Sequence, residues 1–282
     1  MVVAEAVEER ELIGGSGKSS SWGFVLAASF LVLVVVVAVA ASVIAPDSPA
    51  AIGQKAMAGP SGAHLLGTDP DGRDVLSRLI YGSRPALEGV GIGLLVMLVL
   101  GVPWGLAAGY LGRWVDDVLM RVADAFLAFP GIILAIAITA VLGPSLVNAM
   151  TAVGVVLAPS IARLMRSAVL PLRAADFVRI PRSFGVSRAT IVRRHVFPNA
   201  MAPVLVQTCA IAGIMLIIES ALFFLGIGSN VSTPSWGGDL AAAYQYFVSN
   251  PLATIAPGLV IAITSLCLIR VGDGLKGKLG VG

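Results

Sequence analysis

Residues 125–162 run for 38 positions without one Asp, Glu, Lys or Arg. As a single helix rising 1.5 Å per residue, such a run would be roughly twice as long as the ~30 Å hydrocarbon core of a bilayer is thick. It breaks at "GPS", residues 143–145, a Gly-Pro turn signal. It therefore reads as a hairpin of two membrane spans, over 118–142 and 148–162.

Four more spans follow from the same criterion. Residues 22–44 and 89–112 carry no charge, and Pro103 marks a kink that neighbouring helices tolerate in a membrane. Residues 202–225 carry Glu219 near their far end, and 252–269 complete the set. A cleaved signal peptide competes for the first run because of "AVAAS", but its leader is acidic and its apolar stretch too long, so it reads as a retained anchor. Each crossing should be helical, since unpaired backbone amides are too costly in lipid. With a mean hydropathy of +0.93, the expected fold is an all-α membrane protein of six transmembrane helices. Its expected divisions are a flexible tail 1–20, a first helix 21–45, an extracytoplasmic segment 46–84, a five-helix core 85–270 holding a polar loop at 167–200, and a tail 271–282.

Six spans place both termini on one side. With the amino terminus inside, fifteen Lys and Arg fall inside, and only Lys55, Arg73, Arg78 and Arg84 fall outside, which orients both tails toward the cytosol. Basic residues that cluster beside apolar spans answer to membrane lipid rather than nucleic acid. Cys209 and Cys267 lie in apolar runs, and His64 and His195 form no ligand pair, so no metal or other cofactor site is expected. "GGSGKSS", residues 14–20, lacks the first glycine of a phosphate loop because position 12 is Leu12. Asp69, Asp71 and Asp74 resemble part of a calcium loop, but Ile80 stands where the twelfth-position glutamate belongs. That segment reads instead as a turn into an interfacial helix with weak local ion pairs.

The exception to this greasy pattern is "DFVRIPRSFGVSRATIVRRHVFPNA", residues 176–200, which holds five arginines and a histidine. Gly185 suits a left-handed helix cap, and Ser187 suits the N-cap of a second helix ending at Pro198. Ala189, Val192 and Val196 would form that helix's apolar side, with Arg188, Arg193 and Arg194 elsewhere. One reading is a basic helix lying on anionic headgroups. The other is a docking knob with Phe177, Ile180 and Phe184 as apolar anchors.

This loop, together with "GTDPDGRDVLSRLIYGSR", "GYLGRWVDDVLMRVADAFLAFP", "FFLGIGSNVSTPSWG" and "GDGL", resembles the C-type permease subunit of ABC importers for dipeptides, oligopeptides and nickel. The five blocks run from Gly67 to Leu275, most of the chain. In the family's loop pattern Gly185, Phe197 and Pro198 match, His195 takes an apolar position, and Arg179, Ile180 and Pro181 replace Glu-Ala-Ala. The resemblance implies a type I importer permease fold. It implies a coupling helix, here Phe177, Arg179, Ile180, Pro181, Arg182, Ser183, Phe184 and Gly185, that docks in a groove of an ATPase subunit. With Pro181 present, that helix is expected to be kinked, or to start near Ile180.

The resemblance further implies that this chain is no enzyme: two ATPase subunits, or one fused chain, hold ATP and Mg. A homologous second permease and an extracytoplasmic binding protein complete the assembly. Cargo would be short peptides, or by the same mechanism a nickel chelate or haem. Glu219, Phe223 and Phe224 are candidates for the translocation path or its outer gate, Glu219 alternatively reaching the outer interface and water. An ion-coupled carrier would need mid-membrane ionisable groups, yet Glu88, Asp124 and Glu219 fall near span ends; an intramembrane hydrolase would need a paired catalytic set that is not apparent.

Overall fold

The computed structural model describes residues 21–53, 55–228 and 233–279, so the tail 1–20 and its glycine-rich "GGSGKSS" lie outside the described residues. The helices, in chain order, are α1 Ser21–Ile44, α2 Val75–Leu111, α3 Arg113–Leu127, α4 Gly131–Leu142, α5 Leu146–Ala174, α6 Asp176–Ser183, α7 Arg188–Ile191, α8 Phe197–Phe224, α9 Trp236–Ala243 and α10 Pro251–Leu279. A π-helical turn, Val192–Val196, joins α7 to α8. Among the described residues there is no strand, only one isolated bridge between Thr68 and Asp74.

Five helical segments are individually long and apolar enough to cross a membrane, and the bent pair α3–α4 supplies a sixth when taken together. The expected continuous span over 118–142 is thus corrected: α3 and α4 meet at 89°. Pro130 is the cause, since its ring cannot continue a helix and it disfavours the helical conformation in the residue before it. Other boundaries move as well. Asp74 caps α2 directly, its Oδ2 accepting from the Ser77 N–H at 2.7 Å, so this helix begins at Val75 rather than near residue 89 and no separate interfacial helix precedes it. At its 37 residues α2 is roughly 55 Å long and must project beyond the apolar layer. α5 continues past 162 to Ala174, and α10 runs through "GDGL" to Leu279.

The bundle is organised around α2 against α5, with α8 packed on both and on α10, and α1 lying outside against α2 and α10. Small residues permit that central pairing. A methyl group on Gly101 would stand 2.6 Å from the Ala158 carbonyl oxygen and 3.0 Å from Ile161 Cβ, so only glycine lets the two backbones approach this closely. Met97, Met150, Ile161, Met165, Met215 and Leu222 fill the core. Outward-facing Val36, Val39, Leu95, Val99, Ile217 and Leu259 stay exposed, as a lipid-facing surface requires.

Candidate functional site

α6 follows a single break at Ala175 and is held by one buried side chain. Val178 is 3% exposed and joins the hydrophobic core, whereas Phe177, Ile180 and Phe184 are 44%, 53% and 83% exposed. Arg179 and Ser183 also face outward, the Ser183 hydroxyl donating to the Ile180 carbonyl at 2.7 Å; the Arg182 side chain lies outside the described ones. A short helix with one apolar root and three apolar tips is the shape of a knob. The anchor Val178 was not singled out from the sequence, because one valine between Phe and Arg carries no periodicity.

The expected late start at Ile180 is overturned: α6 begins at Asp176, with the Arg179 N–H reaching the Ala175 carbonyl at 3.1 Å. Pro181 falls in the second turn, where its missing N–H leaves one intrahelical bond unmade, and the helix closes two residues later. Gly185 sits at φ +82° and the Val186 N–H reaches back to the Pro181 carbonyl at 3.1 Å. That six-to-one bond is a Schellman cap, which needs a left-handed residue. Ser187 caps α7 as its sequence suggests, its Oγ accepting from the Thr190 N–H at 3.3 Å.

The second helix does not end at Pro198. The Phe197 N–H bonds the Val192 carbonyl, an i→i−5 turn that adds one residue and carries the chain directly into α8. Widening the turn there gives the Pro198 ring room beside the preceding carbonyls. The extra residue also shifts the apolar face: Ile191 and Val196, five apart, are fully buried, while Ala189 is exposed. A strict 3.6-residue period missed Ile191 for this reason.

α6 and α7 border a cavity of about 420 Å³ lined by Tyr110, Leu111, Arg113, Arg173, Val178, Arg179 and Arg188. On the nearby flank, Arg166 pairs with Asp116 at 2.5 Å and Arg163 pairs with Asp124, fixing α3 to α5.

The opposite end of the bundle is capped by the segment between α1 and α2, and by α9. Local ion pairs form there as the sequence reading expected, but Arg73 and Arg78 are buried and a long-range pair joins them. Buried Arg73 donates through Nε to Asp69 at 2.7 Å and also pairs with Asp71. Arg78, 161 positions before its partner, donates to Asp239 Oδ1 through Nε at 2.7 Å and to the Pro49 carbonyl through Nη1 at 3.2 Å. Burial pushes the Asp239 carboxyl up to about 6, against the lowering pull of Arg78. Asp74 accepts from His64 Nδ1 at 3.0 Å as well as capping α2, and Asp47 stands 3.9 Å from the same nitrogen. With both Asp74 oxygens engaged, this trio is a clasp on the loop.

Glu219 does not reach water. It is 4% exposed, packed so closely on α2 that a methyl at Gly89 would stand 2.9 Å from its Cδ, and its Oε2 has no hydrogen-bond partner among the described residues. Nearby Glu88 does line a cavity, a space of about 280 Å³ shared with Tyr81, Arg84, Leu146 and Phe223. Phe223 is buried between that cavity and a second of about 230 Å³, which also touches Phe224, Arg73 and Arg78. The structure thus brings Phe223 and Phe224 together and sets Glu219 apart, inside the helix packing.

Comparison with known proteins shows the family and the fold. The family model for "Binding-protein-dependent transport system inner membrane component" matches residues 101–279. The dipeptide transport system permease protein DppC of Alkalihalophilus pseudofirmus is 40% identical over 221 residues, covering 78% of this chain and 73% of that protein. The glutathione transport system permease protein GsiD of Pectobacterium atrosepticum is 38% identical over the same shares of each chain. Among solved structures, the inward facing MetNI methionine ABC transporter superposes with a TM-score of 0.57 at 22% identity, over 72% of this chain and 96% of that one. A match over most of the chain, a bundle of five or six membrane-length spans and relatives near 40% identity lead to one statement: the chain belongs to the family of inner-membrane components of binding-protein-dependent transport systems.

Proposed function

We propose that this chain is one half of the membrane path of an ATP-driven ABC importer for short peptides, and that α6 is its coupling helix. The observation that carries the coupling assignment is the division of α6 into one buried anchor, Val178, and three exposed apolar tips. Peptide cargo is supported by relatives named for dipeptide, glutathione and peptide transport. Nickel chelates and haem are the alternative cargoes for the same machinery.

In this reading the chain hydrolyses nothing and holds no cofactor. Separate ATPase subunits, or one fused chain, bind ATP and Mg and receive Phe177, Ile180 and Phe184 in an apolar groove. Their closure on ATP moves α6, and with it the rigid pair formed by α5 and α8, between two packings of the bundle. A homologous second permease supplies the other half of the path. A loaded extracytoplasmic binding protein contacts the end built from α9 and the segment before α2, biasing the same equilibrium. Both termini face the cytoplasm of a prokaryotic cell, as the basic residues around α5 to α8 favour. Arg179, standing where the resemblance in the loop pattern implies a glutamate, faces an acidic residue of the ATPase.

The test is uptake by proteoliposomes that hold the full complex with ATP enclosed and loaded binding protein outside. Labelled dipeptide should accumulate, nickel chelate and haem should not, and Arg179→Glu should abolish accumulation. Equal uptake without ATP, or unchanged uptake in Arg179→Glu, contradicts the coupling assignment; accumulation of a chelate or haem alone contradicts the cargo.

A further inference from the structure

We infer that the four-arginine cavity at the α6 end of the bundle binds a phosphate group, supplied by the headgroup of an anionic phospholipid. Arg113, Arg173, Arg179 and Arg188 come from four separate helices, Arg113 and Arg188 as first residues of theirs, yet they line one space of about 420 Å³. That volume falls within the ~300–1,000 Å³ typical of ligand sites. No carboxylate lines it, and among the described residues none of the four has an acid within ion-pair distance, whereas Arg163 and Arg166 just beyond are each paired. The four are solvent-exposed, and together without a counter-charge they make an electropositive patch that favours entry of an anion. Their planar forks match phosphate oxygens two at a time.

The cavity is built rather than incidental. Arg173 packs its guanidinium directly against the backbone of Gly112, which takes φ +65° between α2 and α3, so a side chain there would displace it. With Arg179 on α6, every charged residue of the lining is basic. Its position points to lipid as the source of the phosphate. The cavity opens where α2 and α5 end, with Leu111, 47% exposed, in its lining, and Trp114, next in sequence to the lining residue Arg113, is 72% exposed. An exposed tryptophan at a helix end marks headgroup depth, with acyl chains passing the apolar helix surface below. Arg179 is shared with the ATPase assignment, where it meets an acidic residue of the partner, so the inference is tested on the chain alone through Arg173 and Arg188, which that assignment does not use.

The experiment quantifies lipid that stays with the full chain after extraction from bilayers of phosphatidylcholine containing a minority of phosphatidylglycerol. Wild type should retain phosphatidylglycerol well above its share of the bilayer. Arg173→Gln/Arg188→Gln should lower that enrichment by roughly tenfold or more, given the contribution of each basic residue near a charged membrane surface. Arg193→Gln/Arg194→Gln removes equal charge from exposed positions outside the cavity and should keep the enrichment, which also guards against a cavity variant that merely misfolds. Millimolar inorganic phosphate separates the sources: lipid held despite it supports the headgroup, and lipid displaced by it, with phosphate bound to wild type but not to the cavity variant, supports a soluble phosphate at the same site. The inference is overturned if wild type shows no enrichment and binds no phosphate, in which case the arginines await an acidic partner protein, or if both double variants lose enrichment equally.

Discussion

Replacing Gly185 by alanine isolates the backbone geometry of the α6 cap from any steric effect. The residue lies at φ +82°, and a Cβ there would meet nothing within 4 Å, so the substitution adds strain without a clash. A non-glycine residue in the left-handed region costs about 1–2 kcal/mol. The cap it supports is the Val186-to-Pro181 bond, which sets how α6 turns into α7. If coupling needs that turn formed, the strain shifts the local equilibrium by a factor of about 5–30. Asparagine tolerates the left-handed conformation far better and should recover most of the loss. The assay is ATP hydrolysis by the assembled complex, with and without loaded binding protein. Stimulation should fall by about that factor in Gly185→Ala and by much less in Gly185→Asn. Equal behaviour of the two variants, whether both active or both impaired, would refute the argument, since only φ tolerance distinguishes them here.

Three further outcomes follow from the packing and the caps. Gly101→Ala should destabilise the bundle by about 1–3 kcal/mol, because the methyl forces α2 and α5 apart, whereas Gly91→Ala, with open space around it, should be neutral or slightly stabilising; thermal unfolding of the two variants measures the contrast. For Asp239 the folded-state pKa is raised from 3.8 to about 6, so its ionised form opposes folding, and stability gained by protonation appears as pH falls from about 6 toward 3.8. That contribution, on the order of 3 kcal/mol for two units, should vanish from the pH dependence of unfolding in Asp239→Asn; an unchanged profile would show that Arg78 and its neighbours leave the carboxyl in its ordinary range. Glu219→Gln should retain the fold and transport, because the side chain is enclosed by helix packing rather than facing a cavity, while Glu88→Gln should alter transport; loss of uptake in the first alone would restore Glu219 to the path.

The membrane class and five of the membrane-length helices were legible because uncharged runs report directly on the solvent a helix meets. The hinge at Gly185 and the cap at Ser187 were equally readable, since φ tolerance and side-chain capping are local properties. What could not be read depends on partners distant in sequence or on departures from regular period. The bend at Pro130 hid within an apolar run that gave no sign of which way the chain turned. The π turn after Ile191 put one extra residue into a helical count, so Ala189 was placed on a face it does not share. Arg78 and Asp239 meet although 161 positions separate them in the chain, and charge patterning offers no clue to such a pairing. Glu219 was recognised as unusual from its neighbours, but whether it faced a cavity or a helix depended on Gly89, a residue of another span. The arginine cavity likewise draws on the ends of elements that lie far apart along the chain.

The central claim is that α6 sits in a groove of the ATPase, and the most direct measurement is a thiol cross-link from its tip. Phe184→Cys, at an 83% exposed position, should form a bond to a cysteine placed in the groove of the co-assembled ATPase, while Val43→Cys, equally exposed at 85% but at the end of α1, should not. A cross-link from residue 184 that forms in the assembled complex and blocks transport is the predicted result. A Phe184→Cys thiol that remains freely reactive to solvent in an active complex would contradict it.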